Sequence, residues 1–97
     1  MEKRTNTYRF QLEYLSSSKE ETALPEALDL EFENHDNIFQ IVEILKGKNP
    51  FGDEKQAVEF AIGLKMFSEI MIKNKSNPLF EEMLPAFRIF MRKLKSL

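Results

Sequence analysis

The residues able to do chemistry are few, and the chain's single histidine is the most conspicuous of them. His35 stands beside Asp36 in FENHDNIF, residues 32–39, where an alternating apolar pattern gives way to a helical one. A histidine oriented by a carboxylate is a general-base arrangement, but adjacent residues point in different directions and no motif marks a nucleophile. Cap chemistry accounts for the same residues, with Asn34 as a favoured N-cap and Asp36 in the first helical turn. We therefore interpret this segment as a joint between a strand and a helix.

A second group of charged side chains, Asp29, Glu31 and Glu33, alternates along a predicted strand. Hard cations prefer oxygen ligands that converge from several directions, whereas alternate strand residues lie about 7 Å apart. We expect a solvated outer face, partly paired with Arg9. Zinc is not indicated either, because the chain has one histidine and no cysteine. We therefore expect no metal, no cofactor, no catalytic residue and no enzymatic activity.

The third group of charged side chains is basic. Arg88, Arg92 and Lys95 recur at i, i+4 and i+7 on the last predicted helix. They could track phosphates, since lysine and arginine supply most non-specific affinity for nucleic acids. The net charge of −2 and the lack of a helix-turn-helix, RNP or KH motif argue against such a partner, and the helix dipole also favours bases near a C-terminus. Weak nucleic-acid binding through this helix is therefore a minor hypothesis.

Two alternating segments predict the strands that would position these groups. Residues 7–15, TYRFQLEYL, alternate with an aromatic inner face, and residues 28–33, LDLEFE, alternate in the same way. The two neighbouring strands are expected to pair antiparallel. The polar segment between them, residues 16–27, is longer than a tight hairpin needs, and its role is left open.

Helical periodicity replaces the alternation from Ile38 onward. Apolar residues there recur at i, i+3, i+4 and i+7, and Gly47 is expected to end this helix in the left-handed conformation. Asp53, with Gln56 three residues on, has capping-box spacing for a second helix that runs to near Asn74.

The last predicted helix begins at Pro85, because proline fits the first helical position. The order of elements predicts an α+β fold in which an antiparallel two-stranded hairpin is followed by three helices (ββααα). A chain of 97 residues suits a single compact domain over residues 1–97, with an ordered core from about 7 to 95.

One face of the central helix carries an apolar stripe. Ile62, Met66 and Ile70 lie nearly opposite that helix's main buried face. Gly63 beside them costs about 1 kcal/mol relative to alanine, which favours close approach of another backbone. A two-stranded hairpin is also marginal alone and has edges to cover. We therefore predict a symmetric homodimer joined through this stripe or by strand pairing; alternatively, the first or last helix of the same chain covers the stripe.

Two kinds of function remain open at this point. The leading hypothesis is a small non-enzymatic binding or interaction module that acts as a homodimer. The alternative is a small-molecule-binding protein whose pocket lies between the aromatic strand face and the central helix, lined by Tyr8, Phe10, Tyr14 and Phe60. Filling the core is the usual role of such residues, and the sequence does not identify a ligand.

Charge is distributed unevenly along the chain. Residues 20–45 hold eight acids and no lysine or arginine, whereas residues 73–97 hold six bases against two acids. Opposite fields can steer a partner or orient self-association, although two solvated faces are the simpler explanation. No segment has the pattern of a secretory signal or of a membrane span. We therefore expect no membrane partner and a cytoplasmic location.

Three segments carry a family resemblance: FENHDNIFQIVE, AIGLKMFSEIMIKNKSNPLF and FRIFMRKLK. In their order and spacing they resemble a family of short bacterial proteins, domain of unknown function 3861, over about residues 8–95. The resemblance implies a bacterial cytosolic protein with a small α+β fold. It implies no activity, cofactor or catalytic residue, and the long loop 16–27 departs from the family pattern.

Overall fold

The computed structural model describes residues 4–19 and 23–97. In these residues two strands are followed by three α-helices, and a 3₁₀ turn, Pro78–Phe80, precedes the last helix. The predicted ββααα order of an α+β fold is therefore confirmed. The elements are β1 (Asn6–Leu12), β2 (Leu28–Asn34), α1 (Ile38–Lys48), α2 (Glu54–Lys73) and α3 (Met83–Lys95).

The chain divides into two compact units at the bond that follows His35. The hairpin unit contains both strands, and the helical unit comprises Asp36–Leu97. The assignment of residues 1–97 to one domain stays a prediction. Residues 20–22 of the predicted loop, and with them Glu20 and Glu21 of the acidic segment, lie outside the described residues.

The hairpin has the antiparallel pairing and the common apolar face that the alternation predicts. The rings of Tyr8 and Phe32 stack with their centroids 5.5 Å apart. β1 ends earlier than predicted, because β2 begins at the residue opposite Leu12 and offers no partner to the residues beyond it. The apolar cross-strand pairs are Tyr8 with Phe32, Phe10 with Leu30, and Leu12 with Leu28.

The start of α1 corrects one prediction. Its N-cap is Asn37, whose side-chain oxygen accepts a hydrogen bond from the Gln40 backbone N–H at 3.2 Å. Asn34, the residue predicted for this role, is instead the last residue of β2, paired with Asn6 and buried. Because the strand ladder holds Asn34 in extended conformation, the helix begins later. Asp36 therefore precedes the cap and does not lie in the first turn.

The end of α1 corrects a second prediction. Gly47 lies inside the helix, and the left-handed C-cap is Asn49, with φ 46° and ψ 57°. The Asn49 backbone N–H donates to the Leu45 carbonyl at 2.9 Å, so the helical ladder continues past the glycine. Asparagine is the residue after glycine that most readily adopts this conformation.

Of the two remaining helix starts, that of α2 was predicted correctly and that of α3 was not. The N-cap of α2 is Asp53, as predicted, with its carboxylate accepting from the Lys55 backbone N–H at 3.0 Å. α3 begins at Met83, so Pro85 is its third residue and not its first. Proline is tolerated there because the N–H groups of a first turn have no intrahelical partner.

The core of the helical unit lies between α1 and α2. Leu45 packs against Ala57 and Ala61, and each of the three is at most 3% exposed. Two alanines in the contact surface allow the helix axes to approach closely. Leu94 of α3 packs against this cluster, and Lys48 Nζ donates to the Lys95 carbonyl at 3.3 Å. Both contacts hold the C-terminal half of α3 against the rest of the unit.

Candidate functional site

The segment around His35 connects the end of β2 at Asn34 to the start of α1 at Ile38. His35 itself is exposed. The Asp36 carboxylate forms an ion pair with Lys65 of α2 at 2.8 Å, and the Lys65 side chain is only 14% exposed. This contact links the segment just before α1 to the middle of α2.

The three carboxylates of β2 lie on an exposed strand surface. Arg9, on the neighbouring strand, pairs with both Asp29, at 3.4 Å, and Glu31, so the predicted pairing is confirmed. Exposed ion pairs of this kind contribute about 0–1 kcal/mol. Within residues 4–19 and 23–97, no three histidine, cysteine or acidic side chains form a group that could hold a metal ion.

The four residues predicted to line an aromatic pocket are distributed over both units. Tyr8 and Phe10 share one face of β1, and Tyr14 follows that strand. Phe60 belongs to α2, where its ring contacts Phe51 at 5.2 Å and Phe90 at 6.0 Å. Phe60 thus takes part in packing within the helical unit, and the pocket stays a prediction.

The predicted apolar stripe on α2, which we call the α2 patch, consists of Ile62, Gly63, Met66 and Ile70. Ile62 and Met66 are half-buried, whereas Gly63 is exposed and Ile70 is 54% exposed. A Cβ added at Gly63 would meet nothing within 4 Å. The glycine therefore leaves open space on the helix surface, and its cost of about 1 kcal/mol is not offset by a close contact within the described chain.

α3 packs onto α2 through aromatic rings. Phe87 lies 6.4 Å from Phe67, and Phe90 lies 6.0 Å from Phe60. Yet none of the residues from Met83 to Lys95 is fully buried. The packing of α3 onto α2 therefore leaves part of the apolar face of α3 accessible to solvent.

A groove runs along the unused part of that face, between α3 and the end of α2. Its volume is about 620 Å³, within the range of roughly 300–1,000 Å³ typical of ligand sites. The floor is apolar, and the rim is formed by four exposed cations. We call it the basic groove; it is lined by Met71, Ile72, Lys75, Leu84, Phe87, Arg88, Met91, Arg92 and Lys95.

The basic groove contains all three residues that the sequence singled out as phosphate contacts, namely Arg88, Arg92 and Lys95. No acidic side chain lines it. Across the part of the chain that the structure describes, neither these three cations nor Lys75 forms an ion pair. The structure therefore places four positive charges without counter-charges beside an apolar floor.

Sequence reasoning missed the α2 side of this groove. Ile72 and Lys75 are contributed from the end of α2 and the turn after it. Ile72 is 58% exposed, which sets it apart from the buried Met71 beside it. An available signal was the position of Leu84 and Met91 next to the basic ridge on α3, but only the tertiary fold shows which part of α2 faces them.

Two further findings concern the chain as a whole. In the described part of the chain, none of the helices combines the length and apolar character needed to cross a bilayer. No curated protein matches the sequence.

Comparison with solved structures and families gives two matches. A protein of unknown function from Pectobacterium atrosepticum, known from its crystal structure, is 33% identical in sequence and superimposes with a TM-score of 0.80. The match covers 95% of this chain and 98% of that one. Residues 6–96 also match a domain of unknown function, DUF3861, that has a solved structure. The chain therefore belongs to the DUF3861 family, as the resemblance of its sequence implied.

Proposed function

We propose that this protein is a small non-enzymatic interaction module that acts in the cytoplasm as a homodimer, with the α2 patch as its self-association surface. A partly exposed apolar helix face around an open glycine supports this proposal. Ile70 is 54% exposed although its neighbours Ile62 and Met66 are half-buried. Exposed apolar surface bordered by polar residues is typical of protein interfaces.

The spacing of residues about Met66 carries the proposal. Ile62 and Ile70 lie four residues before and after Met66. When two copies of one helix cross antiparallel about a two-fold axis at Met66, each Ile62 faces the Ile70 of the other copy, and the two Met66 side chains meet. The patch is therefore complementary to itself, as an isologous interface requires.

Charged residues continue the same symmetry. Glu59 and Lys73 lie seven residues before and after Met66, on the same side of the helix. Both are exposed, and neither forms an ion pair among the described residues. In the antiparallel arrangement each Glu59 is placed opposite the Lys73 of the second copy. A parallel arrangement would instead align like charges, so the two ion pairs favour one orientation.

The hairpin is a second surface that would gain from self-association. Two strands alone are marginally stable in water, and Leu12, Leu28 and Leu30 on its apolar face are between 48% and 66% exposed. Pairing of strand edges across a two-fold axis is the alternative contact for the homodimer.

Replacing Ile70 with glutamate is expected to dissociate the homodimer into folded monomers. Burial of an isoleucine contributes about 1.5–3 kcal/mol, and the interface contains two copies, so the dimer Kd should rise about 100-fold or more. Light scattering coupled to size exclusion measures the mass over a dilution series, and circular dichroism checks the fold. The matched control is Ile72→Glu, which is 58% exposed on another side of α2 and should leave the mass unchanged. A wild-type monomer at high micromolar concentration would overturn the proposal.

The orientation of the two helices is tested by exchanging charges. Lys73→Glu places like charges opposite each other twice and should weaken the dimer about threefold to tenfold at low salt. Glu59→Lys combined with Lys73→Glu should restore wild-type affinity. Lys75→Glu, which changes the net charge by the same amount outside the α2 patch, is the control. Failure of the double variant to restore affinity would exclude the antiparallel arrangement about Met66.

A further inference from the structure

We infer that the basic groove binds an amphipathic anion, specifically an aliphatic chain that ends in a carboxylate. The groove belongs to the helical unit alone and shares no residue with the α2 patch. This inference is therefore independent of the proposed homodimer, and either can fail without the other.

The apolar floor of the groove suits an aliphatic chain as the main part of the ligand. Met71 is fully buried, and Leu84, Phe87 and Met91 are half-buried, so the floor is made of apolar side chains held by packing. Ile72, 58% exposed, extends the apolar wall towards solvent. Methionine side chains adapt to flexible aliphatic partners, and a ligand chain that covers this floor would remove apolar surface from water.

The basic rim of the groove suits an anionic head group at one end of the ligand. Lys75, Arg88, Arg92 and Lys95 come from the two sides of the groove. The helix dipoles account for Arg92 and Lys95 in the last turn of α3 and for Lys75 just after the end of α2, but not for Arg88. Guanidinium groups bind a carboxylate through two parallel hydrogen bonds. A neutral apolar ligand would approach four like charges without neutralising them.

The same geometry argues against nucleic acid as the occupant. Proteins that follow single-stranded nucleic acid combine a basic surface with aromatic faces on which bases stack. Phe87 is the groove's one aromatic lining residue. It is half-buried, and its ring stacks on Phe90 and contacts Phe67, so it is already used in packing. The apolar side chains of the floor cannot donate hydrogen bonds to phosphates.

Methionine methyl NMR tests the inference directly. Met71 and Met91 line the groove and Met66 does not, so one spectrum of the full chain contains two reporters and a reference. Dodecanoate below its micelle concentration is expected to shift the Met71 and Met91 signals saturably and to leave Met66 unchanged. Butyrate, which has the head without the chain, should bind at least about tenfold more weakly because it buries far less apolar surface. Dodecyl maltoside, which has the chain without the charge, should also bind at least about tenfold more weakly, the loss expected for one charge-assisted contact.

Charge-reversal variants separate the groove from general attraction. Arg88→Glu with Arg92→Glu should weaken dodecanoate binding about tenfold or more. Lys93→Glu, an exposed residue on the opposite side of α3, should leave it within about twofold. Ile72→Ser removes apolar wall without touching the charges and should also weaken binding.

Four results would overturn the inference. One is a lack of shift at Met71 and Met91, and another is equal binding of dodecyl maltoside. The third is an oligothymidylate that shifts Met91 when dodecanoate does not, which would assign the groove to phosphate binding. Vesicles of phosphatidylglycerol provide the remaining comparison: binding to vesicles without binding of free dodecanoate would assign the groove to a membrane surface and reject the free ligand.

Discussion

Leu45→Ala is expected to reduce the free energy of unfolding by about 2–5 kcal/mol, the range for truncating a buried leucine. Leu45 is 3% exposed and is the largest member of the buried cluster that it forms with Ala57 and Ala61 between α1 and α2. The buried residues against which it packs, Ala57 and Ala61, are too short to fill the space that truncation leaves. Because the total free energy of unfolding of a small domain is only about 5–15 kcal/mol, this loss is expected to bring the protein close to unfolding. Urea denaturation followed by circular dichroism measures it.

The neighbouring residue supplies the control. Ile44 is 53% exposed, so Ile44→Ala should change stability by less than about 1 kcal/mol. Equal losses at both positions would mean that α1 does not pack with Leu45 inward, and the described core would be wrong.

Ala61→Leu is expected to destabilise the protein by about 1–3 kcal/mol, and at the upper end of that range. Ala61 is completely buried against Leu45, and close approach of α1 and α2 depends on its small side chain. A leucine there must either force the helices apart or adopt a strained rotamer. Thermal unfolding should show a lower midpoint than for the wild type.

The same substitution on a free surface separates overpacking from any effect of leucine itself. Ala86 is exposed on α3, and leucine has high helix propensity, so Ala86→Leu should leave the midpoint nearly unchanged. An unchanged midpoint in Ala61→Leu would show that the contact between α1 and α2 is loosely packed and can accommodate a larger side chain.

The fold was predictable because two periodicities are present without interruption. Alternation in residues 7–12 and 28–33 predicts which strand face is apolar, and the observed pairs place apolar residues opposite one another on that face. The helix boundaries were less predictable, since the segments contain several residues of equivalent cap chemistry. Asn34 and Asn37 both suit an N-cap, and Gly47 and Asn49 both suit a left-handed C-cap. Only strand pairing at Asn34 and the Asn49 hydrogen bond decide between them.

The candidate surfaces were predictable to different extents. The α2 patch lies on one helix, so helical spacing alone brings its residues together. The basic groove needs two segments that are far apart in sequence, because Ile72 of α2 faces Met91 of α3. Helical periodicity identifies the bases on α3 but does not show that they border an apolar floor. That information is carried by the aromatic contacts that dock α3 onto α2.

The division of the chain after His35 has a spectroscopic consequence. The protein has two tyrosines, Tyr8 and Tyr14, and no tryptophan. Both tyrosines belong to the hairpin unit, whereas all three helices belong to the other unit. Intrinsic fluorescence therefore reports on the hairpin and far-ultraviolet ellipticity mainly on the helices, without any label. Superimposable melting curves from the two signals would identify one cooperative folding unit, and separate curves would identify two.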